Sequence, residues 1–180
     1  MKNQNTKKLA YAALFLALCL VLPMLTGQIP QIGSMLLPMH IPVLLCGLVC
    51  GWQYGAAVGF VAPLLRSVLF GMPPMYPVAI AMAFELLTYG LVIGLVYRRM
   101  AQKGAAGVYA ALLTAMVAGR LVWGVAEVVL LGFGGKAFTA QAFLAGALLN
   151  AVPGIIVQLV LIPAVMAALQ KAGAVKEYAE

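Results

Sequence analysis

The sequence predicts an all-α integral membrane protein, a single domain over residues 1–180 with six transmembrane helices and both termini cytoplasmic. Three observations carry this expectation. Hydrophobic residues make up 65% of the chain and charged residues 8%, against about 25% charged in an ordinary soluble domain, so polar surface is too scarce to wrap a water-soluble core. Apolar runs near the ~20 residues needed to cross hydrocarbon recur along the whole chain, and no polar stretch is long enough for a separate soluble domain. The basic residues other than Arg66 and Arg120 sit at the ends of those runs or between them, where they report orientation.

The spans fall at roughly 8–25, 39–51, 54–71, 77–98, 106–132 and 140–170. The first, in "MKNQNTKKLAYAALFLALCLVLPML", has lysines before an apolar run, as a signal peptide does. Only "TGQIPQIG" follows, without an A-x-A-like cleavage site, so it reads as a retained span. The second, "PMHIPVLLCGLVCG", is short for a crossing; Pro38 and Pro42 lie at its start, where proline is tolerated, and the tight "GWQYG" joins it to the third. Such a hairpin is tilted or sheltered by protein. The third span carries Arg66 in "VAPLLRSVLFG", the fourth Glu85 in "AIAMAFELLTYG", the fifth Arg120, Trp123 and Glu127, and the sixth Asn150 ahead of "AVPG".

With this count, Lys2, Lys7, Lys8, Arg98, Arg99, Lys103, Lys171 and Lys176 share one side, leaving Lys136 in a loop on the other. The richer side is cytoplasmic by the positive-inside rule. The opposite face carries the loops 26–37, 71–77 and 132–141, rich in proline and glycine and therefore turns or lids. The sequence shows no internal repeat of the kind that builds many secondary transporters.

Several functions are excluded. A net charge of +7 would suit nucleic acid only if the bases clustered on a solvated face, and they do not. Cys19, Cys46 and Cys50 lie within apolar runs without zinc-site spacing, and one histidine cannot build a multi-histidine metal path, so neither a metal nor another cofactor is expected. Hydrolase, metalloprotease and P-loop signatures are missing, so any ATP-driven step belongs to partner chains.

The fifth span poses the central question. Arg120 and Glu127 are seven residues apart, which returns them to within about 20° of one helix face, roughly 10 Å apart along the axis. Trp123 and Gly124 lie between them, so this face offers a guanidinium, an indole, a gap beside the indole and a carboxylate. A charge near the bilayer centre costs at least ~2.5–3.5 kcal/mol, so such residues face the bundle interior or a wet cavity. Arg66 and Glu85 bring the intramembrane set to a net charge of zero.

Depths counted from the outer helix ends place Arg66 and Glu127 about 7 Å in, Glu85 about 12 Å, Asn150 about 15 Å and Arg120 about 18 Å, with His40 at the outer start of the second span. All fall in the outer half, a pattern of outward-facing capture. The expected binding set is thus His40, Arg66, Glu85, Arg120, Trp123, Glu127 and Asn150. The plainer alternatives are structural ion pairs for the four charges, a hydrogen-bonded helix start for His40, and for Asn150 an amide bonded to backbone groups freed by Pro153.

The run "LPMHIPVLLCGLVCGWQYGAAVGFVAPLLRSVLFG" resembles the second and third spans of the substrate-binding S components of energy-coupling factor (ECF) transporters. "AGALLNAVPGIIVQLVLIPAV" is similar to their last span, and size and span count agree over essentially the whole chain. The resemblance implies a multi-pass protein of the prokaryotic cytoplasmic membrane that binds a vitamin-like or vitamin-precursor molecule with high affinity. It would deliver that molecule to a membrane coupling subunit, the T component, which carries two cytoplasmic ATPases, and would topple in the bilayer to do so. It further implies docking through an Ala-x-x-x-Ala face of the first helix, here Ala13 and Ala17 with Ala10 on the same side. The N-terminal histidine arrangement of the metal-transporting branch is missing. Three rival readings stand beside it: a self-sufficient proton-coupled permease titrating Glu85 or Glu127, a membrane enzyme using Glu127 or His40, and a purely structural subunit.

Overall fold

The computed structural model describes residues 2–25, 35–100, 102, 104–133, 139–146 and 151–173. These residues fold into helices only: α1 (Lys2–Leu25), α2 (His40–Cys50), α3 (Trp52–Phe70), α4 (Ile80–Met100, entered through a π-helical turn, Met75–Ala79), α5 (Ala105–Phe133), α6 (Ala140–Leu144) and α7 (Val152–Lys171). Among the described residues five helical stretches are long and apolar enough to cross a membrane: Gln4–Leu25, Trp52–Phe70, Met75–Met100, Ala105–Phe133 and Val152–Lys171.

The second expected span is the exception. Helix α2 has 11 residues, about 16 Å of helix at 1.5 Å per residue, roughly half of a ~30 Å hydrocarbon core. Every residue of it except Ile41 is buried, and it lies against α1, α3 and α4. Protein rather than lipid therefore surrounds it, which removes the need for a full crossing length.

Within the sixth expected span, 140–170, the described residues form a short helix, Ala140–Leu144, and another that starts at Val152 with Pro153 in its first turn. Proline has no N–H to give and its ring collides with the carbonyl four residues back, so it opens helices and does not sit inside them unperturbed. The fourth span is likewise entered by a distorted turn, with Tyr76 extended (φ −116°, ψ 132°), before regular helix begins at Ile80.

Helices α2, α3 and α4 meet along glycine. A Cβ on Gly55 would stand 2.7 Å from the Gly47 Cα and 2.8 Å from the Gly90 carbonyl oxygen, and one on Gly94 would stand 2.5 Å from the Trp52 nitrogen. Backbones this close exclude any side chain. Gly55 and Gly59 on α3, and Gly90 and Gly94 on α4, are spaced four apart, the small-residue spacing by which membrane helices approach without a hydrophobic driving force. Helix α5 packs along the other side of α4, and α7 closes against α2 and α5. Gln170 Nε2 donates to the Tyr97 hydroxyl at 3.2 Å, so the last turns of α4 and α7, carrying Arg98, Arg99 and Lys171, lie together.

On α1 the buried residues Ala12, Phe15, Cys19 and Pro23 form one inward stripe, while Ala10, Ala13 and Ala17 are exposed.

Candidate functional site

The site is built where α2 begins, α4 passes and α5 faces it. Leu37, in the left-handed region at φ 50°, turns the chain so that its carbonyl accepts the His40 N–H at 3.0 Å, and His40 becomes the first residue of α2. Its imidazole points inward and is 1% exposed, as is Glu85 on α4. Oε1 of Glu85 lies 3.4 Å from His40 Nε2 and 3.0 Å from Arg120 Nη1. One carboxylate oxygen thus lies within ion-pair distance of two nitrogen groups from two other helices, without a hydrogen bond to either.

Tyr89, one turn further along α4, supports this centre. Its ring meets His40 edge-on with centroids 5.2 Å apart. Gly119 on α5 makes room for it: a Cβ there would lie 2.5 Å from the Tyr89 ring. A bulkier residue would push Tyr89, and with it Glu85, out of register.

On the other side Arg120 Cζ lies 5.9 Å from the Trp123 ring centroid, within the range of a cation–π contact. Trp123 stacks on Phe143 of α6, with centroids 6.1 Å apart and planes 25° from parallel. The gap expected beside the indole is filled: Phe143 occupies the space over Gly124, where a Cβ would lie 2.5 Å from its ring.

The cluster leaves polar atoms over. Arg120 Nε and Nη2, both ring nitrogens of His40 and Glu85 Oε1 are buried from solvent with no hydrogen-bond partner among the described residues, as is Gln158 Nε2 on α7; a neutral imidazole supplies one donor and one acceptor. For His40 Nε2 the Glu85 oxygen is near, but not in hydrogen-bond geometry. Buried donors without acceptors are costly, of order 1–3 kcal/mol each, so a native structure that keeps several beside one another has a use for them.

His40, Glu85, Arg120 and Trp123 are thus brought together from the expected set. Arg66 is not. It is 2% exposed, donates through Nη1 to the Leu20 carbonyl of α1, and covers the Phe70 ring at 5.3 Å. Pro23 interrupts the hydrogen-bond ladder of α1 in the same turn, which leaves carbonyls there able to accept a side-chain donor. Glu127 is 7% exposed, two turns beyond Arg120 on α5, with no ion pair or hydrogen bond among the described residues. Asn150 and Lys136 lie outside the described residues.

Tyr89, Phe143, Gly119 and Gln158 were not among the expected site residues. Tyr89 had a signal, since it stands four residues after Glu85 and so on the same helix face. Phe143 had none, because its partner Trp123 is 20 residues away on another helix. At the far end Tyr76 donates its hydroxyl to the Leu130 carbonyl, tying the turn before α4 to α5 near Glu127.

The family model described as ECF transporter, substrate-specific component, matches residues 7–166. No curated protein and no solved structure matches the chain.

Proposed function

The chain belongs to the substrate-specific component family of ECF transporters, and from that premise we propose that it captures a small vitamin-like or vitamin-precursor molecule from the cell exterior at the Glu85–Arg120–His40 centre. A multi-pass membrane protein of this family is a substrate-binding subunit that associates with a coupling T component and ATPases. The finer reading concerns which residues bind and what they hold. One observation carries it: Arg120 is ion-paired with Glu85 through Nη1 while its Nε and Nη2, together with the ring nitrogens of His40, remain buried and unpartnered among the described residues. Structural ion pairs alone would leave no such surplus.

In this reading His40, Arg120, Trp123 and Glu127 face the ligand, Asn150 joins them, and Glu85 with Tyr89 holds the donors in place. Arg66 instead ties α3 to α1. The basic ends of α4 and α7 face the cytoplasm of a prokaryotic cell membrane, with both termini on that side. Exposed Ala10, Ala13 and Ala17 on α1 receive the coupling subunit, whose two ATPases drive uptake as the loaded subunit topples.

The test is binding against transport. Purified alone, the protein should hold a small molecule visible by native mass spectrometry and should move none across liposomes. With the coupling subunit and ATPases it should transport on ATP. Uptake by the solitary protein under a pH gradient would replace this reading with a proton-coupled permease.

A further inference from the structure

The two edges of the Arg120 guanidinium are used differently. Nη1 meets Glu85 at 3.0 Å, whereas Nε and Nη2 are closed to solvent and have no hydrogen-bond partner among the described residues. Nε and Nη2 form the side-on fork of an arginine, two parallel N–H bonds spaced to meet both oxygens of one carboxylate. The fork is therefore the part of the residue that the protein leaves unfilled.

Charge and space narrow what fills it. Glu85 already balances Arg120, and Glu127 stands two turns further along α5. Every additional negative charge meets these two carboxylates, which disfavours a dianionic phosphate ester most, and it is the match of two parallel N–H groups to two oxygens that points to a single carboxylate. The space over Gly124 is taken by Phe143, which also stacks on Trp123, so the ligand has no slot between α5 and α6 for a large fused ring.

Resting on the binding-subunit reading above, we infer that the ligand is a compact monocarboxylic acid whose two oxygens are held by Arg120 Nε and Nη2. Glu85 is a positioning residue: it fixes the guanidinium from the Nη1 edge and does not touch the ligand. His40, whose ring nitrogens are also buried and unpartnered, meets polar groups elsewhere on the molecule.

The experiment uses full-length protein purified in detergent from cells grown on rich medium, with the bound small molecule released and identified by mass spectrometry. The released compound is then compared with its own neutral amide or alcohol for binding; where nothing is released, the probes are nicotinate against nicotinamide and pantothenate against panthenol. The expected result is an acid whose neutral counterpart binds weaker by on the order of 100-fold or more. Arg120→Lys keeps the charge beside Glu85, so its melting temperature should hold, but it lacks the fork and should lose about 10- to 100-fold in affinity for the acid. A released ligand without a carboxylate, a neutral counterpart that binds equally well, or a lysine variant of full affinity overturns the carboxylate assignment and leaves the binding-subunit reading in place. A protein that releases nothing and binds none of the probes overturns both.

Discussion

Arg66 and Arg120 are both arginines in apolar helices, yet they are satisfied in different currencies. Arg66 spends its charge on a backbone carbonyl of α1 and an aromatic face, whereas Arg120 is paired with a carboxylate and keeps donors in reserve. Replacing Arg66 with alanine should therefore leave ligand affinity unchanged and lower the melting temperature, since a hydrogen bond from a charged donor is worth about 1.5–3 kcal/mol. A ligand-binding defect in that variant, with melting intact, would return Arg66 to the site. Glu85→Ala should be harsher, because it strips the partner from Arg120 and His40 together. Removing one member of a buried ion pair costs about 3–5 kcal/mol, and thermal unfolding in detergent should register the loss even without ligand. That buried charges need partners was readable from the apolar runs around them. Which charge meets which was not, because seven-residue spacing fixes a helix face but says nothing about the rotation of α4 against α5, and that rotation gives Glu85 to Arg120 and takes Arg66 away.

Helices α2, α3 and α4 owe their closeness to missing side chains, and the sequence carried that signal in the four-residue spacing of Gly55 with Gly59 and of Gly90 with Gly94. Alanines at the same spacing, such as Ala111 with Ala115, dilute that signal. Gly55→Ala places a methyl group within 2.7 Å of the Gly47 backbone and 2.8 Å of the Gly90 carbonyl, where neither neighbour can yield as a flexible side chain would. The bundle must spread, shifting α4 and the Glu85 it carries. Overpacking of this sort costs typically 1–3 kcal/mol, so the variant should melt lower and bind more weakly, and a variant equal to the wild type in both would dissolve the seam as an organising element. Helix α6 behaves oppositely. It has five residues and contributes Phe143 as a cover over Trp123 and Gly124, while the Arg120 fork behind Trp123 is closed to solvent. On the proposed reading, ligand displaces some part of this cover to enter. Phe143→Ala should accordingly speed both association and release in stopped-flow measurements while changing equilibrium affinity less than either rate. The start of α7 was visible as Pro153, but a periodic apolar run from 140 to 170 reads as continuous when hydrophobicity alone is followed.

At the scale of the whole molecule, the exposed face of α1 carries three alanines among larger residues such as Leu9, Tyr11 and Leu14. On α1 only one stripe is buried, and Ala10, Ala13 and Ala17 lie on the exposed face. In lipid an alanine gains nothing over a leucine by burial, because the chains around it are as apolar as it is, but small residues let another helix backbone come close. Ala13→Leu and Ala17→Leu should therefore leave melting temperature and ligand binding as they are, since neither residue lines the Glu85–Arg120 centre or the glycine seam. What they should remove is association: the variants, expressed with the coupling subunit and both ATPases, should fail to co-purify with them, and ATP-driven uptake in proteoliposomes should fall with the loss of complex. Capture and delivery would then reside on separate faces of one small bundle. Full assembly by both variants would move the docking surface elsewhere, while loss of ligand binding in either would mean that the α1 face and the buried centre are mechanically linked.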